Sequence, residues 1–155
     1  MSENNPDSKK NHKNYKNDKI IKSRHNARKF AIQAIYQWQI NSSVYSELEV
    51  QFKTSNSYIK HVDWNLFEIL VKGVIANREN LDNLFIEFLP GKINQVNQVE
   101  KSILRVGCFE LQNCLETPYK VIISEYVDLA NDFGAERGEK FVNGVIDKVA
   151  KVIRQ

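Results

Sequence analysis

Two arginines spaced four residues apart, Arg24 and Arg28, are the leading candidates for binding chemistry in this sequence. On an α-helix this spacing puts one side chain a turn above the other, and His25 and Lys29 lie beside them. Tyr36 follows two turns further along, about 80° around the helix from Arg28. A guanidinium group offers a planar fork for phosphate, and an exposed aromatic ring offers a stacking surface to an unstacked base. The pattern therefore predicts that one helix face presents these groups to single-stranded RNA.

An alternative interpretation of the same residues is an ordinary solvated helix end that follows a lysine-rich segment. The RNA hypothesis makes a specific prediction about two substitutions. Arg28→Ala and Tyr36→Ala should each weaken binding to single-stranded RNA and leave the fold intact.

The distribution of charge favours a polyanionic partner for the start of the chain. The 155 residues include 22 Lys and Arg and 19 Asp and Glu, which gives a net charge of +3. Residues 1–29 hold nine of the basic residues and three of the acidic ones, so this segment carries +6 and the rest of the chain −3. Such asymmetry indicates a polyanion at the basic end and a basic partner for the acidic body.

Catalytic and metal chemistry have no support in the sequence. There is no glycine-rich phosphate loop and no nucleophile motif, and His12, His25 and His61 are scattered, so we expect no enzymatic activity, no metal and no cofactor. Cys108 and Cys114 are predicted to be buried free thiols of a reducing compartment. Without a membrane-length apolar run or a secretion signal, the sequence predicts a cytoplasmic protein that contacts no membrane.

The elements that must position these side chains are all predicted to be helices. Residues 1–22 are rich in Asn and Lys and predict a disordered basic tail, after which Ser23 is the expected N-cap of the first helix. Asp63 is a second predicted N-cap, and no stretch alternates as a strand does. The expected fold is all-α with about seven helices, approximately over residues 23–41, 44–52, 63–75, 81–89, 96–115, 122–133 and 136–152.

The stretch 96–115 is apolar on nearly every side, which is typical of a central, buried helix. Arg105 inside it predicts an internal ion pair with a carboxylate, because a buried charge needs a partner. Glu100 and Lys101, at the start of the same stretch, are predicted to be exposed.

Several segments carry, in their order and spacing, a resemblance to a known family. They include Arg24-His25-Asn26-Ala27-Arg28, Gln98-Val99-Glu100-Lys101-Ser102 and Lys140-Phe141-Val142-Asn143-Gly144. Over nearly all of residues 24–154 the chain resembles the bacterial transcription antitermination factor NusB family. The resemblance implies an all-helical RNA-binding domain over residues 23–155, built as two small bundles packed across each other.

The resemblance also implies a function and a set of site residues. Members of the family bind the boxA element of nascent RNA together with the ribosomal protein also called NusE, and they join the RNA polymerase antitermination complex that promotes complete transcription of ribosomal RNA operons. The implied RNA-binding residues are Arg24, His25, Arg28, Lys29, Tyr36, Gln98, Lys101 and Phe141. The implied partner-binding residues are Tyr36, Phe88 and Glu100.

This sequence departs from the family pattern at two places. His25 and Asn26 stand where the motif is commonly arginine, and Arg137 stands where an acidic residue is often found. We expect the lysines of the tail to compensate electrostatically for the missing arginines. Two alternatives stay open: a fragment of an RNA methyltransferase that begins with a NusB-like domain, and a helical scaffold that only self-associates as a homodimer.

Overall fold

The computed structural model describes residues 6–154, with side chains from residue 14 onward. Within this range two short 3-10 helices, Ile86–Phe88 and Ile93–Gln95, occur beside six α-helices. The α-helices are α1 (Pro6–Asn41), α2 (Tyr45–Ser55), α3 (Trp64–Phe85), α4 (Gln98–Asn113), α5 (Tyr119–Asp132) and α6 (Gly138–Ile153). The predicted all-α fold is confirmed. None of these helices combines the length and apolar character that crossing a bilayer would require.

Helix α4 is the centre of the molecule. It packs against α1 and α3, which with α2 form one bundle, and against α5 and α6, which form the other. Eleven of its sixteen residues are buried, and the apolar side chains of both bundles join in one continuous core. Cys108 and Cys114 lie in this part of the molecule as buried free thiols, as predicted.

Helix α3 combines two of the predicted helices into one kinked helix. Asp63 is its N-cap, as expected, and its side chain accepts a hydrogen bond from the Leu66 N–H at 3.0 Å. The kink lies at Asn77, whose φ of −123° and ψ of 21° are not helical. The Asn77 amide donates to the Gly73 carbonyl at 2.8 Å, and such a bond to the carbonyl four residues earlier bends a helix. The axis of α3 therefore changes direction at Asn77.

The start of α1 differs from the expectation that order begins near Ser23. The helix begins at Pro6, and Ser23 lies inside it, where its carbonyl accepts a hydrogen bond from the Asp63 N–H at 3.0 Å. Side chains at 14–22 are exposed apart from a half-buried Lys19. This segment is thus held by helical hydrogen bonds, which extend an existing helix at little conformational cost, and packing begins at about residue 23. Residues 1–5 of the expected tail, and residue 155, lie outside the described part of the chain.

Candidate nucleic-acid interface

The outer face of α1, which we define as Arg24, His25, Lys29 and Tyr36, is the accessible surface that the arginine-rich segment forms. His25, Lys29 and Tyr36 follow one another at intervals of four and seven residues, so they point in nearly the same direction. Lys29 is exposed, and Tyr36 is 41% exposed. Arg24 lies at the edge of this face, where its Nη2 donates to Thr117 Oγ1 at 2.9 Å. Cations and an aromatic ring therefore share one surface, as predicted.

Arg28 does not belong to that surface, and the prediction that it presents its guanidinium is wrong. Only 3% of the residue is exposed. Its Nε donates to Glu110 Oε1 at 2.8 Å and its Nη2 donates to Glu110 Oε2 at 2.8 Å. Burial alone would lower the pKa of Arg28, but the hydrogen bond and the charge of Glu110 outweigh it and raise the pKa. The fork that would bind a phosphate is already occupied by a carboxylate.

A polar cluster joins this buried pair to the outer face of α1. Tyr126 OH donates to Glu110 Oε1 at 2.9 Å, and burial raises the pKa of Tyr126 well above its usual value. Glu125 Oε2 lies 3.4 Å from Arg28 Nη1 and 2.8 Å from His25 Nδ1. Glu125 thus fixes the orientation of the His25 ring through a contact on the side of the ring that faces the protein. These contacts fix the side-chain directions near Arg24 and His25 before any ligand arrives.

The start of α4 corrects a second prediction, because Glu100 is completely buried. Glu100 Oε1 accepts hydrogen bonds from Asn97 Nδ2 at 2.8 Å and from the Arg137 N–H at 3.0 Å. Its Oε2 is buried and has no hydrogen-bond partner among the residues the structure describes. Lys101 is half-buried rather than exposed, and burial together with the nearby charge of Arg105 lowers its pKa. Glu100 needs its local partners because a buried carboxylate is costly without donors.

Arg105 forms the internal ion pair that its position predicts. Its Nε and Nη2 donate to the two carboxylate oxygens of Asp82 at 2.8 and 2.9 Å. Gln98, another predicted RNA contact, is half-buried and accepts through its Oε1 from Gln39 Nε2 at 2.9 Å. Both residues are therefore ordered by neighbours from other helices.

The two predicted phenylalanines are placed differently. Phe141 is half-buried, and the Arg137 guanidinium carbon lies 5.1 Å from the centre of its ring. That distance is within the range of a cation–π contact. Phe88, in the first 3-10 helix, is half-buried and packs against the core. Each ring keeps part of its surface accessible.

One cavity adjoins Tyr36, and another adjoins Arg24. One, of about 220 Å³, lies beside Tyr36 between α1 and the start of α4, and its walls are Ile32, Gln33, Tyr36, Val99, Ser102 and Phe133. The other, of about 230 Å³, is next to Arg24 and includes Thr117, Glu116 and Glu125. Within the described residues no group of three or more His, Cys, Asp or Glu could hold a metal ion.

The sequence interpretation missed Glu110 and Glu125 as the partners of the arginine-rich segment. Glu110 carried one usable signal, since it is a charged residue in the stretch 96–115, which is apolar on nearly every side, and such a residue needs a partner. Glu125 carried no such sequence signal, because nothing in its local pattern relates it to His25, a hundred residues away.

Comparisons with known proteins agree with this architecture. The relative from Colwellia psychrerythraea (strain 34H) named Transcription antitermination protein NusB is 41% identical over 131 residues, which is 84% of this chain and 94% of the relative. The relative of the same name from Edwardsiella ictaluri (strain 93-146) is 46% identical over 132 residues, 85% of this chain and 94% of its own length. A crystal structure of antitermination factors NusB and NusE in complex with dsRNA has a TM-score of 0.72 at 27% identity, over 84% of this chain and 98% of that one.

The fold, the cationic face of α1 and these relatives define a protein of the transcription antitermination class. The profile of the NusB family matches residues 25–151, which is most of the chain. The chain belongs to the NusB family.

Proposed function

We propose that this chain binds boxA-type single-stranded RNA together with a NusE-type ribosomal protein, and that it acts in the RNA polymerase antitermination complex on ribosomal RNA operons. The outer face of α1 carries the proposal, because it presents cations and a stacking ring in fixed directions on a NusB-family fold. The action is binding in the cytoplasm, where RNA is transcribed, and it requires no catalytic step. Residues 23–155 form the domain responsible, and residues 1–22 are an electrostatic extension of it.

The RNA contacts that we propose fall into two groups. Arg24, His25, Lys29 and Tyr36 contact RNA along the outer face of α1, and Gln98, Lys101 and Phe141 extend the surface onto α4 and α6. Arg28 acts differently, since its guanidinium is bonded to Glu110 and buried. We assign it to holding α1 in place.

The NusE-type partner is proposed to dock beside Tyr36, Glu100 and Phe88. Two observations support this placement. The cavity next to Tyr36 has largely apolar walls, and the chain after residue 29 carries a net charge of −3. Glu100 is buried, so we assign it to holding the start of α4 through Asn97 and the Arg137 N–H rather than to touching the partner directly. An acidic body suits a basic ribosomal protein because complementary charge steers association.

The proposal is tested by titrating a labelled boxA-like single strand with the purified chain, alone and with a NusE-type protein, over a salt series. We expect affinity to fall steeply with salt because phosphate contacts release counterions, and to rise when the partner is present. A duplex of the same sequence is the comparison, since the related structure contains dsRNA. Binding that is equally weak to both RNAs and unaffected by the partner would contradict the proposal.

Replacing Lys29 with alanine should remove about one phosphate contact. For single-stranded RNA we expect the slope of log K against log salt to become shallower by about 0.7, which is roughly a fivefold loss of affinity at 0.1 M salt. The fold should be unaffected because Lys29 is exposed and outside the core. Lys53→Ala is the matched control, since Lys53 is an exposed lysine on α2, a helix that carries none of the proposed RNA contacts. If the slope of log K against log salt is the same for the two variants, Lys29 makes no phosphate contact and does not belong to the interface.

The six lysines between Lys9 and Lys22 should contribute to RNA affinity without sequence preference. Deleting residues 1–22 is expected to weaken binding to boxA-like and to scrambled strands by the same factor, and to reduce the salt slope. A variant with Lys16, Lys19 and Lys22 changed to Gln keeps α1 at its full length and removes three positive charges. It therefore separates the effect of charge from the effect of shortening the helix. If affinity and slope are unchanged in both proteins, the tail has no role in binding.

A further inference from the structure

A polar cavity of about 230 Å³ lies where the end of α1, the segment of α3 after its kink and the start of α4 meet. Among the residues described with side chains, its lining contains three cationic groups and no carboxylate. The lining residues are Trp38, Gln39, Ser42, Arg78, Gln98, Lys101 and Arg105. Of these, only Gln98 and Lys101 were among the residues that the sequence predicted for binding.

One wall of this cavity is rigid and electrically balanced. Arg105 is held by Asp82 through two hydrogen bonds, and its Nη1 donates to Gln39 Oε1 at 3.0 Å. Gln39 in turn donates through Nε2 to the Gln98 carbonyl at 2.9 Å. Both carboxylate oxygens of Asp82 are bonded to Arg105, and the charge of Asp82 raises the pKa of Lys101 less than burial and Arg105 lower it.

Arg78 and Lys101 are the other two cations of the cavity. Neither has a salt bridge or a side-chain hydrogen bond to any residue among those described with side chains, 14–154. Arg78 is exposed at the mouth, and Lys101 is half-buried beside Arg105. Burial and the charge of Arg105 lower the pKa of Lys101, so an anion placed here would relieve both the desolvation and the repulsion. An arginine fork and a lysine ammonium converging on one cavity match the donors that phosphate accepts.

The cavity lies on the same helix as the outer face of α1, further along it. Gln39 follows Arg24 by fifteen residues, which corresponds to about 22 Å along the axis. Gln98 and Lys101 belong both to the cavity and to the proposed RNA surface. A strand that crosses the outer face of α1 can therefore reach the cavity without leaving the protein surface.

We propose that this cavity binds a phosphate group of the RNA strand, with Arg78 and Lys101 as its donors and Arg105 as the fixed cation behind them. The inference rests on the proposed function, which it deepens by adding a second anchoring point remote from Arg24. Arg78 is the residue that distinguishes this site, because it belongs to no part of the previously predicted interface. Its direction depends on the kink at Asn77, one residue earlier.

The test compares Arg78→Glu with Lys53→Glu, which changes the net charge by the same amount at an exposed position on α2, a helix that carries none of the proposed RNA contacts. Binding to a single strand of about 12 nucleotides, a length within the range of known single-strand sites, is measured over a salt series. We expect Arg78→Glu to lose at least fivefold in affinity at 0.1 M salt and about 0.7 in slope relative to the control, which is one phosphate contact. Both residues are exposed, so both variants should fold; circular dichroism confirms it.

A second measurement separates RNA phosphate from free phosphate. Sodium phosphate is titrated into the wild-type protein and the shift of the Trp38 indole N–H resonance is followed by NMR. A phosphate-dependent shift with equal RNA affinities for the two variants would overturn the RNA assignment and identify a site for free phosphate. Equal affinities without a shift would overturn the site altogether while the proposed function stood. Failure of the wild-type protein to bind any RNA would instead defeat the proposed function, and the inference with it.

Discussion

Arg28→Ala is expected to destabilise the fold by about 3–5 kcal/mol, the cost typical of breaking a buried ion pair by removing one partner. Glu110 is completely buried, and without Arg28 the hydroxyl of Tyr126 is the one side-chain donor that it keeps among the described residues. The effect is large compared with the total stability of a domain. It contradicts the sequence-based prediction that this substitution leaves the fold intact.

Urea denaturation followed by circular dichroism measures this loss. Arg24→Ala is the matched control, since it removes the neighbouring arginine of the motif but only one hydrogen bond, to Thr117; we expect a change of about 1 kcal/mol or less. The triple variant Arg28→Met, Glu110→Leu, Tyr126→Phe removes the three buried polar groups together and should recover most of the stability. If the Arg28→Ala protein is as stable as wild type but defective in RNA binding, Arg28 contacts an RNA phosphate directly and the structural role assigned to it here is wrong.

Tyr36→Ala is expected to weaken binding of single-stranded RNA by about 1–3 kcal/mol, the value of one base stacked on an aromatic ring. This corresponds to a loss of roughly 5- to 150-fold. Tyr36 is 41% exposed, so its truncation should cost little stability. The measurement is a titration of labelled RNA without the protein partner, because Tyr36 is proposed to contact both ligands.

Tyr36→Phe is the control that separates the ring from the hydroxyl group. It should keep nearly wild-type affinity if stacking provides the binding energy. If Tyr36→Phe loses as much as Tyr36→Ala, the hydroxyl makes the contact and the stacking hypothesis is wrong. Wild-type affinity for Tyr36→Ala would exclude the residue from the RNA surface.

The helical fold could be predicted from the sequence because its signals are local. Apolar spacing located the packed part of each described α-helix but not the stretch of α1 before Ser23, and Asp63 marked an N-cap that the structure contains. The kink at Asn77 was not predictable, since an asparagine inside a helical pattern bonds either to solvent or to the backbone. Two separate helices and one bent helix give the same apolar pattern.

The candidate site was less predictable because exposure depends on distant partners. Arg24 and Arg28 have the same local pattern, yet Arg28 turns inward to Glu110, which lies 82 residues away. Glu100 was expected at the surface since it begins a helix, but Asn97 and the Arg137 backbone bond to it inside. Arg105 was predicted correctly because its helix is apolar all round, so that any charge within it must be paired.

The pairing of Arg28 with Glu110 also limits which substitutions can accumulate around the outer face of α1 during evolution. A change at either position alone leaves a buried charge without its partner, so the two can be exchanged only together or through an unstable intermediate. Lys29 is exposed, and Arg24 is joined to the interior by a hydrogen bond to Thr117 rather than by a buried ion pair, so these two positions can change with the RNA at less cost to the fold. One turn of α1 thus holds a position that the fold constrains, Arg28, next to positions that can vary. The number of arginines in such a segment therefore overstates how many of them can change to give a new RNA specificity.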